Sequence, residues 1–206
     1  ERGNWTQHGP KALVRAILRV GPRLLIATTA GLFAQEGTAP WKIVPGLPGP
    51  ETNHLVYGPG PRGRPGIWVA TNKGVAFLDG DRVEVLGLES GLPSLACPTL
   101  YLMPSAQGPP QVWVGTFAGL ARWTLGKWNR LQGGPEGLML FAFAQTSEGS
   151  IWAGSMGGGL FRFQGGTWSI PRTLSGPPLV SVLSLAPSAS KVKPGLHPVA
   201  SIFSLL

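Results

Sequence analysis

Residues that could bind a metal ion are sparse in this sequence. Three histidines lie far apart along the chain: His8, His54 and His197. A zinc or calcium site needs several ligands close together. The two aspartates, Asp79 and Asp81, flank Gly80, which is the ordinary composition of a β-turn. We therefore expect no metal site and no cofactor.

Patterns typical of catalytic sites are equally weak. Ser188 and Lys191 have Ser-x-x-Lys spacing, but they stand in a Pro- and Ser-rich stretch without the companion motifs. The glycines from Gly154 to Gly159 are predicted to lie between two strands, so no helix N-terminus is available to hold a phosphate. The single cysteine, Cys97, excludes an intrachain disulfide framework and a cysteine-based metal site. We expect no catalytic residues.

The amino-acid composition indicates which secondary structure the chain can form. The chain has 206 residues, of which 31 are glycine and 21 are proline, and 43% are hydrophobic. Glycine and proline spread along the whole chain break long helices. A disordered chain would lack this hydrophobic content and the eight tryptophans. The composition predicts a compact, turn-rich, all-β protein.

The formal net charge is +8. Net charge carries information about binding partners rather than about the fold. Nucleic-acid-binding proteins usually cluster their basic residues, whereas here only Arg15, Arg19 and Arg23 form a local row. An acidic protein surface or an anionic lipid headgroup is favoured over nucleic acid. The sequence contains no stretch of about eighteen apolar residues, so no transmembrane helix is expected. The start, from Glu1 to Trp5, does not read as a signal peptide, so we expect a cytoplasmic, already processed or excerpted chain.

One pattern recurs at intervals of roughly forty residues, which is the spacing of propeller blades. It consists of an apolar strand ending in Thr or Ser, a short turn, and a second strand that begins with Gly. Its copies begin at Leu24, Ile67, Val112 and Ile151, and their second strands begin at Gly31, Gly74, Gly119 and Gly159. Each copy is preceded by an apolar segment and followed by an outer strand, which in most copies is headed by Trp.

One segment is ambiguous. From Lys11 to Val20, basic residues recur every fourth position, which favours a basic amphipathic helix. The same segment aligns with the inner strands of the other repeats, and this alignment favours a strand. The repeat register decides for the strand.

The repeats predict an all-β protein, a β-propeller of about five four-stranded blades forming a single domain over residues 1–206. Four blades are expected at residues 10–46, 53–88, 97–133 and 138–173. The fifth would combine residues 3–8, which include Trp5, with residues 179–206. Either these ends close a small ring, or the chain is a portion of a larger propeller.

The best-preserved repeat covers residues 137–163, with Ile151, Trp152 and Gly159 at its centre. At these residues the chain resembles the two-component-regulator propeller repeat, found in the extracytoplasmic sensor halves of bacterial hybrid signalling proteins. The family usually has Asp before the Gly of its polar turn, whereas two of these turns are longer and proline-rich here, at residues 58–61 and 105–110. The resemblance implies a propeller fold, a sensor-type role and an extracytoplasmic location, either periplasmic or secreted.

Propellers usually bind at the channel mouth, where the loops between blades meet the turns between the middle strands. The candidate ligand- or partner-binding residues there are Asn53, His54, Asn72, Lys73, Glu89, Phe117 and Met156. Arg15 and Arg19 are four residues apart on one strand, so we expect them to share a face. With Lys73 they would form a cationic mouth for an acidic ligand or protein; alternatively, they lie on an exposed side and favour solubility.

The tryptophans at one strand position, Trp68, Trp113 and Trp152, are expected to pack between blades. Trp123 breaks the repeat position, so stacking on a ligand is an alternative to packing there. The leading functional hypothesis is non-catalytic recognition of a protein or small ligand by a sensor-type or accessory propeller. The alternative is a lyase or hydrolase that uses His54 near the channel.

Overall fold

The computed structural model describes residues 9–105, 108–171 and 185. Sixteen strands in these residues form four antiparallel sheets of four strands each, ordered as in the chain. Sheet 1 contains β1 (Val14–Val20), β2 (Arg23–Thr28), β3 (Gly31–Glu36) and β4 (Lys42–Ile43). Sheet 2 contains β5 (Thr52–Pro59), β6 (Pro65–Thr71), β7 (Gly74–Asp79) and β8 (Arg82–Leu86).

The other two sheets repeat the same order. Sheet 3 contains β9 (Thr99–Met103), β10 (Gln111–Thr116), β11 (Gly119–Thr124) and β12 (Lys127–Arg130). Sheet 4 contains β13 (Met139–Gln145), β14 (Ile151–Met156), β15 (Gly159–Gln164) and β16 (Thr167–Ser169). A 3-10 turn, Leu88–Ser90, lies between β8 and β9. The predicted fifth blade and the Ser188–Lys191 stretch lie outside the described residues.

A hydroxyl group closes the turn between the second and third strands of every sheet. The hydroxyl of the last Thr or Ser donates to the carbonyl of the Gly that opens the next strand, at 2.8 to 2.9 Å. These pairs are Thr28 with Gly31, Thr71 with Gly74, Thr116 with Gly119, and Ser155 with Gly159. The four glycines have φ between 74° and 122°, which L side chains rarely adopt. These contacts explain why the repeat needs a hydroxyl residue and then a glycine.

Tryptophan side chains fill the space between adjacent sheets. Trp68 of β6 is fully buried, and its ring centroid lies 5.4 Å from that of Trp123 and 5.5 Å from that of Trp128, both in sheet 3. Trp113 of β10 packs in the same way against Trp168 of sheet 4, at 6.1 Å. The predicted packing role is confirmed for Trp68 and Trp113, and Trp123 also packs rather than standing ready for a ligand.

Two positions show how the repeat varies without losing its packing. Leu25 of sheet 1 occupies the place of the tryptophan, and Val83 of sheet 2 occupies the place of the outer-strand tryptophan. Both belong to the same apolar cluster between sheets 1 and 2. Trp152 is half-buried, and the guanidinium carbon of Arg162 lies 5.8 Å from its ring centroid. Trp152 is paired with Arg162, whereas the neighbouring pair, Ile151 with Phe163, lies on the face that packs on sheet 3. Trp152 therefore faces away from sheet 3.

The ambiguous segment is a strand, as the repeat register predicts, over Val14–Val20. Its pairing with β2 shifts between Val14 and Ala16, so that Arg15 is an extra residue in a β-bulge. Such a bulge interrupts the alternation of side chains, which explains why the segment does not show a clean strand pattern in the sequence. The same register shift occurs at Asn53 of β5 and at Phe141 of β13.

Candidate functional site

One end of the sheets carries most of the candidate residues. Because each sheet is a four-strand meander, the turns between second and third strands lie at the same end as the connections between sheets. We call this end the loop-rich face: turns 29–30, 72–73, 117–118 and 157–158, and connections 44–51, 87–98 and 131–138. Backbone hydrogen bonds join these segments, including Gly74 to Leu95 (2.7 Å) and Phe117 to Ala96 (3.0 Å).

Arg15 and Asn53, the bulged residues of sheets 1 and 2, form a polar network that links sheet 1, sheet 2 and the connection 87–98. Arg15 Nη2 donates to Glu51 Oε2 at 2.8 Å, and its Nη1 donates to Asn53 Oδ1. Asn53 Nδ2 then donates to the carbonyl of Cys97 at 2.9 Å. The Arg15 charge is thus balanced by Glu51, and the network ties the inner strands together.

The expectation that Arg15 and Arg19 share a face is wrong. The bulge at Arg15 shifts the alternation of β1, so that Arg15 reaches sheet 2 beside the buried Ala16. Arg19 is exposed near the opposite end of the strand, where its Nε donates to the carbonyl of Gly21 at 3.2 Å. A cationic mouth built from both arginines is therefore not present.

His54 is buried and takes part in the packing of sheets 2 and 3. Its Nδ1 accepts a hydrogen bond from the backbone N–H of Leu100 at 3.3 Å. Burial lowers the pKa of His54 to about 4, because the charged imidazolium loses its hydration. The imidazole is therefore neutral near physiological pH. Its contacts are those of a structural histidine.

Asn72 and Lys73 form the turn between β6 and β7. The Asn72 N–H donates to the carbonyl of Glu51 at 3.2 Å, and its side-chain oxygen lies where a side chain at Gly49 would project. Lys73 is exposed and forms no ion pair with any described residue. This turn therefore places an unbalanced positive charge on the loop-rich face.

Glu89 has a local role. Its Oε1 accepts the N–H of Gly87 at 2.8 Å, and hydrogen bonds from its own backbone N–H and from that of Gly87 lower its pKa. Glu89 is exposed and lies within the 3-10 turn. Its carboxylate is thus held by the loop in which it lies.

Phe117, in the turn of sheet 3, and Met156, the last residue of β14, are exposed. The sequence reasoning missed Phe141, whose ring centroid lies 5.8 Å from that of Phe117. It also missed Met139, which pairs with Met156 across β13 and β14. The only signal for Phe141 in the sequence was its alignment with Arg15 and Asn53, and that alignment is meaningful only once the bulge is known.

Among residues 9–105 and 108–171, no group of three or more His, Cys, Asp or Glu side chains lies close enough together to hold a metal ion. Cys97 is buried, and burial raises the pKa of its thiol to about 12. No helix within the described part of the chain is long and apolar enough to span a bilayer.

No known protein family matches the chain, and no curated protein matches it in sequence. In structure it is similar to an extracellular domain assigned to a hybrid two-component system of B. thetaiotaomicron. The TM-score is 0.60 at 19% identity, covering 82% of this chain and 25% of that one. An extracellular domain assigned to a one-component system of the same organism has a TM-score of 0.59 at 16% identity, covering 75% and 22%. Virginiamycin B lyase from Staphylococcus aureus has a TM-score of 0.59 at 14% identity, covering 81% and 59%.

At these identities the likeness concerns the fold alone. It confirms a propeller-like all-β architecture, and it supports the resemblance to the two-component-regulator repeat at the level of fold. The chain spans about a quarter of the length of the two extracellular domains. The count of about five blades stays a prediction.

Proposed function

We propose that this chain is a non-catalytic recognition domain that binds a protein or a small ligand through its loop-rich face. The observation that carries the proposal is the construction of that face. Its turns are held by repeated hydroxyl–carbonyl and backbone hydrogen bonds, while Lys73, Phe117 and Met156, in these turns or directly before them, are exposed to solvent. A rigid scaffold with exposed, chemically mixed side chains is suited to binding.

The state of His54 argues against the catalytic alternative. A general base works best with a pKa near the operating pH, whereas burial holds the pKa of His54 at about 4. Its Nδ1 already accepts the N–H of Leu100. These contacts connect two sheets, and the proposed function needs His54 only for that connection.

We place this domain in a sensor-type or accessory protein outside the cytoplasm, in line with its structural similarity to extracellular domains. Residues 1–206 then form one propeller domain, to which residues 3–8 and 179–206 contribute a fifth blade. The repeated packing of one sheet's tryptophan on the next sheet's outer strand supports this assignment, since Trp152 needs such a neighbour and Trp5 heads the remaining segment of that type.

A thermal-shift screen tests the proposed function. The chain is melted with collections of oligosaccharides, acidic metabolites and peptides, and unfolding is followed by tryptophan fluorescence. A ligand at a hundred times its Kd stabilises the folded state by about 2.7 kcal/mol. We expect hits whose shift falls with Lys73→Ala or Phe117→Ser, but not with Lys127→Ala or Leu125→Ser at the opposite end of sheet 3.

Each hit is then incubated with the protein and analysed by mass spectrometry. We expect it to be recovered unchanged. Formation of a product that His54→Gln abolishes, in a variant that still melts cooperatively, would overturn the proposal in favour of the lyase or hydrolase alternative. Hits that are insensitive to every substitution on the loop-rich face would place binding elsewhere.

A further inference from the structure

Five apolar side chains lie on neighbouring segments in the sheet 3 and sheet 4 half of the loop-rich face. We call this set the apolar strip: Leu95, Phe117, Met139, Phe141 and Met156. Four of them are substantially exposed, Leu95 by 38%, Phe117 by 43%, Met139 by 36% and Met156 by 44%. Clustered exposed apolar residues on a folded domain mark interaction sites more often than scattered ones do.

Contacts around the face connect the members of the strip. The N–H of Phe117 donates to Ala96, the neighbour of Leu95, at 3.0 Å. The rings of Phe117 and Phe141 are 5.8 Å apart, so the strip passes from sheet 3 to sheet 4. Met139, two residues before Phe141, pairs directly with Met156. The strip therefore crosses the boundary between two sheets.

The strip ends at a positive charge. Gly74, next to Lys73, donates its N–H to the carbonyl of Leu95 at 2.7 Å, so the lysine turn adjoins the first member of the strip. Arg15 is neutralised by Glu51, and Lys73 has no ionic partner among the described residues. Lys73 is thus an uncompensated positive charge that adjoins the first member of the strip.

We propose that the apolar strip with Lys73 binds a peptide segment of a partner protein that carries large apolar side chains and, beside them, an acidic residue. Phe and Met are enriched at the cores of protein interfaces, and methionine adapts to varied side chains. The carboxylate of the segment would pair with Lys73. Glu89 and Glu136 lie in the flanking loops. Their charges oppose the many headgroups that an anionic bilayer would spread over the whole face, whereas a single carboxylate of a segment can lie at Lys73 alone. The inference rests on the proposed function and specifies its partner.

A library of random short peptides displayed on phage tests this assignment with the full chain as bait. We expect enriched peptides to combine Asp or Glu with two or more large apolar residues. Their affinity, measured by fluorescence anisotropy of the synthetic peptides, should fall about tenfold or more with Phe117→Ser. Met156→Ser provides a second variant, and Leu125→Ser, which alters an exposed leucine at the opposite end of sheet 3, is the matched control.

A separate set of variants tests whether binding requires the charge of Lys73. Lys73→Gln should weaken binding about two- to fivefold, and the effect should shrink as salt is raised. The matched control is Lys127→Gln, which removes an exposed lysine from the opposite end of sheet 3. Replacing the peptide's Asp by Asn should weaken binding by a similar factor and should make the Lys73 substitution neutral.

Three results would overturn the inference: no enrichment of peptides, enrichment of peptides whose binding ignores both strip variants, or Phe117-dependent binding to phosphatidylserine vesicles instead of peptides. Peptides or screen hits that depend on Asn72 but not on the strip would leave the proposed function standing and remove only this inference. Binding that depends on no residue of the loop-rich face would remove both.

Discussion

Thr116→Val isolates the contribution of the hydroxyl that closes each central turn. The Thr116 hydroxyl donates to the carbonyl of Gly119 at 2.8 Å and accepts the N–H of Ala118 at 3.1 Å. The side chain is completely buried. Valine has the same branched shape, so the substitution removes the two hydrogen bonds without opening a cavity.

The expected cost follows from these contacts. A hydrogen bond contributes about 1 kcal/mol to stability, and a buried group left without its partner costs about 1–3 kcal/mol. The Gly119 carbonyl is deprived of its hydroxyl donor, and the Ala118 N–H is only partly buried. Together these effects predict a loss of about 2–4 kcal/mol in the free energy of unfolding. Urea titration followed by tryptophan fluorescence measures it.

Thr124→Val is the matched control. Thr124 ends β11 in the same sheet, and its buried hydroxyl has no hydrogen-bond partner in the part of the chain that is described. Valine there should leave stability unchanged or raise it by up to about 1 kcal/mol. Equal losses for Thr116→Val and Thr124→Val, or a loss below about 0.5 kcal/mol for Thr116→Val, would refute the reasoning.

Three further predictions use the same measurement. Trp113→Ala should lower the free energy of unfolding by about 3–5 kcal/mol, because the ring is buried between two sheets. Trp152→Ala, at a half-buried site, should lower it clearly less, and equal losses would contradict this expectation. The pKa of His54 is lowered from 6.5 to about 4 in the folded state, so the free energy of unfolding is highest above pH 6.5 and falls by at most about 3 kcal/mol as the pH decreases toward 4. His54→Gln should flatten the dependence of stability on pH in that window. An unchanged dependence would refute the burial argument. Arg15→Ala should cost about 1 kcal/mol through Glu51 and Asn53, while Arg19→Ala should be within about 0.5 kcal/mol of neutral; the reverse order would show that the bulge does not direct Arg15 to sheet 2.

Local patterns predicted much of this fold. The turn residues that follow Thr71 and Thr116 are specified by a hydroxyl group and a glycine within three residues, so the hairpins can be located in the sequence alone. The burial of Trp68 and Trp113 also follows, because a large apolar side chain at a repeated strand position has no other favourable environment. The repeat even identified β1 as a strand against its own helical periodicity.

The candidate site was predicted only in outline. The turns of Lys73, Phe117 and Met156 were expected at one end, and the meander topology places them there. Phe141 was missed because it is the extra residue of a bulge, which no local pattern in the sequence indicates. His54 was assigned to the channel, but its contact with Leu100 joins residues 46 positions apart.

By itself, the sequence determined the strands, the hydroxyl–glycine turns and the residues that pack between sheets, because these depend on periodicity and on contacts within a few residues. The tertiary structure alone decided which way Arg15 points, that His54 is buried and neutral, and that Phe117 and Phe141 meet. The physical reason is the same in each case. One extra residue in a strand redirects a side chain, and the approach of neighbouring sheets sets the burial and the partners that it then finds.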